Sequence, residues 1–207
     1  MNMVELLIII LILLYSITFH EFAHGLVAYY LGDPTPKIAG RLTMNPLKHI
    51  DLMGTVIVPF FLIVLTQGQF AFGYAKPVPI NPYNFKNFKK DIMWVGIAGP
   101  LSNFIIAVGI SIILKINLPS IIKNSLQYGV IINLILFIFN LIPIPPLDGS
   151  RIVTAFLSYK SAYRYLKMET LGFIIIIFLI LNGFIRWFII PILRVLIGIL
   201  GVEGISI

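Results

Sequence analysis

The chain contains no cysteine, so disulfide bonds and thiolate catalysis are excluded and any metal site has to use histidine, aspartate or glutamate. Charge is also scarce: charged residues make up 11% of the 207 residues, whereas hydrophobic residues make up 59%. Apolar runs recur along the whole length, which is typical of an integral membrane protein. About four to six membrane segments of roughly 20 residues fit into this length. We therefore expect an all-α polytopic membrane protein that folds as one helical bundle.

The excess of positive charge has an ordinary explanation in such a protein. The formal net charge is +7, but basic residues of polytopic proteins gather in cytoplasmic loops, where they set the orientation. We therefore expect the lipid bilayer as surroundings and no nucleic-acid partner. The first apolar run carries Glu5 and no early basic residue, so we interpret it as a retained helix and not as a signal peptide.

The apolar runs differ in length. Those at residues 3–31, 92–114 and 128–142 indicate membrane helices, and two further apolar pieces follow Glu169. The run at residues 52–65 is short and contains Pro59, which favours a re-entrant element. The polar stretch after the first run predicts a short β-strand or hairpin at residues 38–44.

The first apolar run carries three ionisable residues in the sequence HEFAH, residues 20–24. On a helix, the i, i+4 spacing places His20 and His24 on one face, where two imidazoles can share one metal ion. Glu21 can then reach a water on that metal instead of the metal itself. The alternative is a pair of histidines that only hydrogen-bond to neighbours, but ionisable groups at membrane depth are costly and usually mark function.

A catalytic zinc site needs a third protein ligand, which here has to be a carboxylate. Seven of the eight acidic residues lie within the motif, near ends of apolar runs or in polar connections. Asp148 instead follows a whole spanning run in the sequence FNLIPIPPLDG, where prolines stop the helix and Gly149 permits a turn back into the bundle. The alternative role for Asp148 is the N-cap of a helix that starts near Ser150.

Three motifs together resemble the site-2 proteases, which are zinc metalloproteases that cut peptide bonds inside membranes. They are HEFAH, AGPLSN at residues 98–103 and NLIPIPPLDG at residues 140–149. The compact chain, with no evident PDZ or CBS module, is similar to the minimal prokaryotic subgroup. The resemblance implies one Zn²⁺ per chain, with Glu21 as the catalytic base and three zinc ligands, His20, His24 and Asp148.

The resemblance also implies a domain organisation and a location. It implies one membrane-embedded metalloprotease domain at residues 1–207, with the catalytic core at 1–160 and C-terminal membrane segments at 169–204. The location implied is the plasma membrane of a prokaryote. The implied substrates are transmembrane proteins or peptides, and the candidates are anti-sigma factors already cut on the outer side and remnant signal peptides.

Two asparagines match residues that lie around the substrate in this family. Asn103 and Asn140 are therefore candidates for contacting the substrate or the oxyanion. For Asn103 the alternative is close helix packing beside small residues. For Asn140 the alternative is satisfaction of the carbonyls that the following prolines leave free.

Geometry restricts the topology. His20 and Asp148 each lie towards the C-terminal end of an apolar run, so they can share a metal only if the two runs cross the bilayer in the same direction. The run at 92–114 supplies the one crossing needed between them if 52–65 is re-entrant. Four basic residues at most then face one side, and eleven face the other, which places the N-terminus outside and the site near the cytoplasmic side. The eleven are Lys37, Arg41, Lys48, Lys76, Lys86, Lys89, Lys90, Arg151, Lys160, Arg164 and Lys167.

A substrate helix has to unwind before its peptide bonds become accessible. We expect the predicted strand, with Ile38, Gly40 and Leu42, to hold it by β-addition. The re-entrant element or the loop at residues 72–82 could gate access. His49 is a candidate transient ligand or proton carrier, and a structural loop histidine is its alternative.

Two other functions use similar residues. A metal transporter would be expected to line a path with several acidic or histidine rungs, whereas this sequence has one such cluster. An iron oxygenase with two histidines and one carboxylate would share the ligands but would not need Glu21 beside the first histidine.

Overall fold

The computed structural model describes residues 3–57, 60–61, 64, 76–202 and 204. Within these residues the chain is mostly helical and no β-strand is present. The helices are α1 Met3–Tyr30, α2 Thr35–Ile38, α3 Phe88–Ile113, α4 Ser120–Asn140, α5 Asp148–Thr154, α6 Tyr159–Leu166, α7 Glu169–Leu181 and α8 Ile190–Leu200. Short 3₁₀ turns occur at Pro46–Lys48 and Pro82–Asn84, and π-helical turns occur at Leu52–Ile57 and Ile185–Ile189.

Three of these helices, α1, α3 and α4, are long and apolar enough to cross a membrane. Helix α7 and the segment Ile185–Leu200 together form a fourth candidate span, bent by 77° at the break between them. The break contains Gly183, whose φ of +81° favours glycine. The prediction of an all-α membrane protein is thus confirmed, and the lower limit of four segments is reached if the bent pair counts as one span.

Helix α3 packs between α1 and α4. Close approach of these helices depends on small residues: a Cβ added at Gly129 would lie 3.2 Å from Ile110 and 3.3 Å from Ile12. The outward side of α1 exposes apolar side chains such as Leu7 and Leu11. Large exposed apolar surface on a long helix is the pattern expected of a lipid-facing helix.

The apolar core lies between α3, α4 and the C-terminal helices. Its buried residues include Val130 and Leu134 on α4 and Ile189 and Leu193 around the start of α8. A smaller cluster, which includes the buried residues Ala28 and Val95, lies near the C-terminal end of α1. Val95 of the second cluster contacts His24 of the motif HEFAH through its carbonyl oxygen, so this cluster supports the segment that carries the site.

The strand predicted at residues 38–44 is not formed. Ile38 is the last residue of α2, and Gly40 has φ of +64°, a left-handed conformation that interrupts an extended strand. The N–H groups of Ala39, Gly40 and Arg41 donate back to carbonyls of residues 35–37. Local turn hydrogen bonds therefore take the donors that a β-ladder would need.

The structure describes residues 52–57, 60–61 and 64 of the re-entrant element predicted at residues 52–65, and the other five lie outside the described residues. Its first part, Leu52–Ile57, is a π-helical turn that follows Asp51, whose side chain accepts a hydrogen bond of 2.8 Å from the N–H of Gly54. The re-entrant path therefore stays a prediction. Residues 72–75 of the expected gate also lie outside the described residues.

Candidate metal centre

The two histidines of the motif meet inside the bundle on one face of α1. Their Nε2 atoms lie 3.1 Å apart, and the rings are nearly perpendicular. His20 is 7% exposed and His24 is 3% exposed. The i, i+4 spacing therefore produces the shared face that the sequence predicts.

Asp148 reaches these histidines from a distant part of the chain. Its Oδ2 lies 3.0 Å from His20 Nε2 and 3.1 Å from His24 Nε2. The chain after α4 folds back tightly, since a Cβ at Gly149 would lie 2.2 Å from the carbonyl oxygen of Leu141. Asp148 is the first residue of α5, while Leu147 occupies the N-cap position, so the alternative N-cap role is not observed.

Hydrogen bonds fix which nitrogen of each ring carries the proton. His24 Nδ1 lies 2.6 Å from the carbonyl oxygen of Val95, which can only accept, so Nδ1 donates. Asn103 donates from Nδ2 to the carbonyl of Ser16, which turns its Oδ1 towards His20 Nδ1 at 2.6 Å. His20 Nδ1 therefore donates as well. In its neutral form, each ring then presents an unprotonated Nε2 to the space between them.

The donor set fits zinc. Three lone-pair atoms form a nearly equilateral triangle with sides of 3.0 to 3.1 Å, and acceptors at this separation repel one another unless a cation lies between them. Tetrahedral zinc with bonds of about 2.0 to 2.1 Å requires ligand atoms about 3.3 Å apart. The outward hydrogen bonds from both Nδ1 atoms are those that metal-binding histidines normally make. Among the described residues, His20, His24 and Asp148 form the group of side chains that could hold a metal ion.

Glycine brings α3 against the site. A Cβ added at Gly99 would lie 2.3 Å from His24 Nε2 and 2.6 Å from His20 Nε2. A Cβ at Gly96, one turn earlier, would lie 2.7 Å from Cβ of Arg151 on α5. Gly99 of the motif AGPLSN thus leaves room for the two histidines, and Gly96, which precedes the motif, leaves room for α5.

Glu21 lies beside the ligand triangle but is not part of it. Its Oε2 accepts a hydrogen bond of 2.8 Å from the N–H of Val78, a residue in the loop before α3. The other oxygen of Asp148, Oδ1, accepts a hydrogen bond of 3.2 Å from Arg151. The carboxylates of Glu21 and Asp148, one beside His20 in sequence and one in contact with its ring, thus have different partners.

The remaining predicted site residues lie apart from the triangle. Asn140 donates to the carbonyl of Leu136 in its own helix, as expected if it satisfies local backbone groups. His49 Nε2 lies 2.9 Å from the carbonyl oxygen of Thr43, while Nδ1 has no partner among the described residues. Leu42 packs near Gly25 on α1, whereas Ile38 is exposed.

Sequence reasoning missed several residues around the site. Asn133 on α4 accepts from Asn103 at 3.0 Å and donates to Ser16 Oγ at 2.9 Å, so it extends the chain of bonds that begins at His20. An amide inside an apolar spanning run is a signal that could have identified Asn133. The Val95 carbonyl and the Val78 N–H are main-chain groups, which no residue type identifies.

Comparison with known proteins defines the class. Residues 115–182, which include Asp148, match the Peptidase family M50 profile. No solved structure matches the chain.

Curated relatives cover most of the molecule. "Putative zinc metalloprotease YwhC" of Bacillus subtilis is 35% identical over 86% of this chain and 84% of its own length. "Putative zinc metalloprotease Rip2" of Mycolicibacterium smegmatis is 27% identical over 84% of this chain and 67% of its own. "Zinc metalloprotease MJ0392" of Methanocaldococcus jannaschii is 44% identical over 38% of this chain and 23% of its own. The chain belongs to Peptidase family M50, the site-2 proteases, and is a zinc metalloprotease of the membrane.

Proposed function

We propose that this metalloprotease hydrolyses peptide bonds within transmembrane segments. In this proposal His20, His24 and Asp148 hold the zinc ion, and Glu21 is the general base. The observation that carries it is the convergence of three lone-pair atoms inside a bundle of apolar helices. A buried cluster of this kind is costly in lipid and is best explained by a function performed at that depth.

In this proposal each residue of the site has a separate role in hydrolysis. When bound, zinc lowers the pKa of its water and polarises the carbonyl that is to be cut. Glu21 takes the proton of the attacking water and returns it to the leaving amine. The Val95 carbonyl and Asn103 hold the two imidazole rings, each by an Nδ1–H hydrogen bond, and so keep both Nε2 atoms aimed at one point.

The depth of the site supports cleavage within the membrane. His20 lies ten residues before the end of α1, or about 15 Å at 1.5 Å per residue. Because α1 has 28 residues, about 42 Å, and is longer than the hydrocarbon core of about 30 Å, His20 lies within that core on the side of the C-terminal end of α1. The connections before α3 and after α4, which carry most of the basic residues, lie at the C-terminal end of α1. We therefore propose that this end is cytoplasmic and that the N-terminus is outside, in a prokaryotic plasma membrane.

The substrates that fit this site are single transmembrane segments that can unwind locally. We propose that transmembrane proteins shortened on the outer side, such as anti-sigma factors, or remnant signal peptides are cleaved. Asn140 is the remaining candidate for contacting the substrate or the oxyanion, because its side chain is partly exposed and bonds only within its own helix among the described residues. Asn103 is engaged by His20 and is better placed to orient that ligand.

The test combines metal analysis with cleavage of a transmembrane peptide by purified protein in detergent and in vesicles. The wild type is expected to bind one Zn²⁺ and to cut within the apolar segment, and Glu21→Gln is expected to keep the zinc but lose at least a hundredfold in rate. Asp148→Ala and His24→Ala should lose both zinc and activity. Cleavage that survives Glu21→Gln would remove the assigned base, and cuts confined to the polar flanks would remove the intramembrane assignment.

A further inference from the structure

We propose that residues 76–81, here called the strap, form a positioning element for Glu21, with the N–H of Val78 as the contacting group and Arg41 as the side chain that holds the strap in place. This inference rests on the proposed function in one respect, namely the role of Glu21 as the base. The contact itself is a feature of the structure and can be tested without any activity.

The contact to Glu21 comes from a single main-chain donor. The N–H of Val78 donates to Glu21 Oε2 at 2.8 Å. Val78 lies between Pro77 and Pro79, neither of which has an N–H, so neither adjacent residue can replace it as the donor. The described residues make no other hydrogen bond to this carboxylate, which leaves Oε1 for the attacking water.

The Val78 side chain fixes where its N–H points. It is 4% exposed, and a Cβ added at Gly25 would lie 3.2 Å from Val78 Cγ1. Gly25 follows Glu21 by four residues and therefore lies on the same face of α1, one turn further along. The apolar contact and the hydrogen bond thus dock the strap against one face of the helix that carries the motif.

Hydrogen bonds hold both ends of the strap, and a side chain contributes at each end. At its start, Arg41 Nη2 donates to the carbonyl of Lys76 and, at 3.4 Å, to that of Pro77. The N–H of Lys76 donates to the carbonyl of His49 at 3.0 Å. At its end, the N–H of Asn81 donates to Asp33 Oδ2 at 2.7 Å.

Arg41 is buried beside the strap and restrains it. Arg41 is 8% exposed, and a charged donor on two successive carbonyls immediately before Val78 restrains the orientation of the peptide that carries the Val78 N–H. A restrained donor holds the carboxylate of Glu21 in one rotamer, and preorganised groups of this kind raise the rate of the chemical step and not the affinity for substrate. Arg41 is therefore a positioning residue that acts through the strap.

Hydrogen exchange tests the contact directly. Residues 76–80 have three main-chain amide hydrogens, at Lys76, Val78 and Ile80, because the two prolines carry none, and a proteolytic peptide that begins before Lys76 reports on all three. Glu21→Ala is expected to accelerate exchange of the Val78 amide at least tenfold, and Arg41→Gln should do the same without touching Glu21. Glu5→Gln, near the other end of α1, is the matched control and should leave exchange in this peptide unchanged. Unchanged exchange of the Val78 amide in Glu21→Ala would overturn the proposal.

Kinetics test the consequence. Val78→Pro removes the N–H, whereas Val78→Ala shortens the same side chain and keeps it, so the proline variant is expected to have a kcat at least tenfold below that of the alanine variant, with similar KM and the same zinc content. Arg41→Gln should also lower kcat, with a smaller change in KM. Equal kcat values for the two Val78 variants, or an effect confined to KM, would overturn the positioning role.

The two proposals fail differently. If Glu21→Gln remains active while Val78 exchange responds to Glu21, the base assignment is wrong and the contact stands. If Glu21→Gln is inactive, while Val78 exchange is unchanged in Glu21→Ala and kcat is unchanged by the strap substitutions, the base assignment stands and the positioning role is wrong. Should Val78→Pro fail to fold, the exchange and kcat of Arg41→Gln decide the question alone.

Discussion

Two polar networks lie at the site, one inside the bundle and one in the loops at its end. The inner network joins side chain to side chain across three helices, from His20 through Asn103 to Asn133. The outer network joins side chains to main-chain groups, with Arg41 on the carbonyls of Lys76 and Pro77 and Asp33 on N–H groups. Both contain buried polar residues, but they are tied to different kinds of partner.

The difference follows from what each region leaves unsatisfied. Inside the bundle the helices satisfy their own main-chain groups, so buried amide side chains are free to orient a metal ligand. In the loops, prolines and turns leave main-chain groups without helical partners, so buried charges close those gaps. Changes to the inner network should therefore alter zinc affinity, and changes to the outer network should alter stability or the chemical step while zinc affinity remains.

The largest effect is expected from Gly99→Ala, which places a Cβ against the Nε2 atoms of the two histidines that we propose as zinc ligands. Because that Cβ would come within 2.3 Å of His24 Nε2, we expect zinc affinity to fall more than a hundredfold. Gly109→Ala on the same helix is the control, since no atom of the described residues outside its own helix lies within 4 Å of the added Cβ. Alanine has the higher helix propensity at both positions, so helix formation cannot explain a loss. Stoichiometric zinc in purified Gly99→Ala, measured by elemental analysis, would contradict this geometry.

Asn103→Ala is expected to lower zinc affinity about 10- to 100-fold, because it removes the acceptor that fixes the His20 tautomer and ring orientation. Competition with a fluorescent chelator measures the change. The matched control is Asn140→Ala, whose amide bonds only to Leu136 in its own helix among the described residues. Zinc affinity should be unchanged in that control, and equal losses in both variants would show that removal of an amide from these helices has a general effect on the protein.

Asn133→Ala should have a smaller effect than Asn103→Ala, because it acts one bond further from the metal. It removes the acceptor for Asn103 Nδ2, which keeps a second acceptor in the Ser16 carbonyl. We expect a loss of zinc affinity of about three- to tenfold. Ser125→Ala, which removes a buried hydroxyl bonded within α4, is the control for loss of packing in the same helix. A loss larger than that of Asn103→Ala would mean that Asn133 holds the helices together instead of orienting His20.

Much of the inner network could be predicted from sequence. The shared face of His20 and His24 follows from helix geometry alone, and the position of Asp148 just after a spanning run makes it a carboxylate that can turn back to reach them. The prolines after Asn140 and the glycine at 149 also indicate a turn there. These are properties of residue type and spacing, which a sequence displays.

The outer network could not be predicted in the same way. Residues 38–44 have a composition compatible with a strand, but their N–H groups are taken by local turns that a positive φ at Gly40 completes. The Val78 N–H contacts Glu21 across 57 positions of sequence, and a main-chain group has no residue type that would reveal it. Tertiary contacts therefore decide structure in the loops, where periodicity is absent.

The smallest effect on zinc is expected from Asp33→Asn in the outer network. The Asp33 carboxylate accepts from the N–H groups of Thr35 and Asn81 and from the Asn84 amide, and an asparagine amide would face one of these donors with a donor of its own. We expect a loss of about 1 to 3 kcal/mol in the free energy of unfolding, with zinc affinity unchanged. Thermal unfolding in detergent, with zinc titration alongside, measures both quantities. A loss of zinc affinity comparable to that of Asn103→Ala would remove the distinction between the networks.

The pH dependence of stability, compared between the wild type and Asp33→Asn, gives a second test of the role of Asp33. Burial opposes ionisation of Asp33, but hydrogen bonds from Thr35, Asn84 and Asn81 outweigh it and hold the pKa of the carboxyl below its ordinary value of 3.8. A carboxyl with a lowered pKa contributes stability that is complete above the unfolded-state value and is lost as the pH falls through the folded-state value. The stability difference between wild type and Asp33→Asn should therefore be constant above about pH 5 and should shrink as the pH falls below 3.8. A difference that stays constant to lower pH would show that shape, and not the charge of Asp33, holds the strap's end.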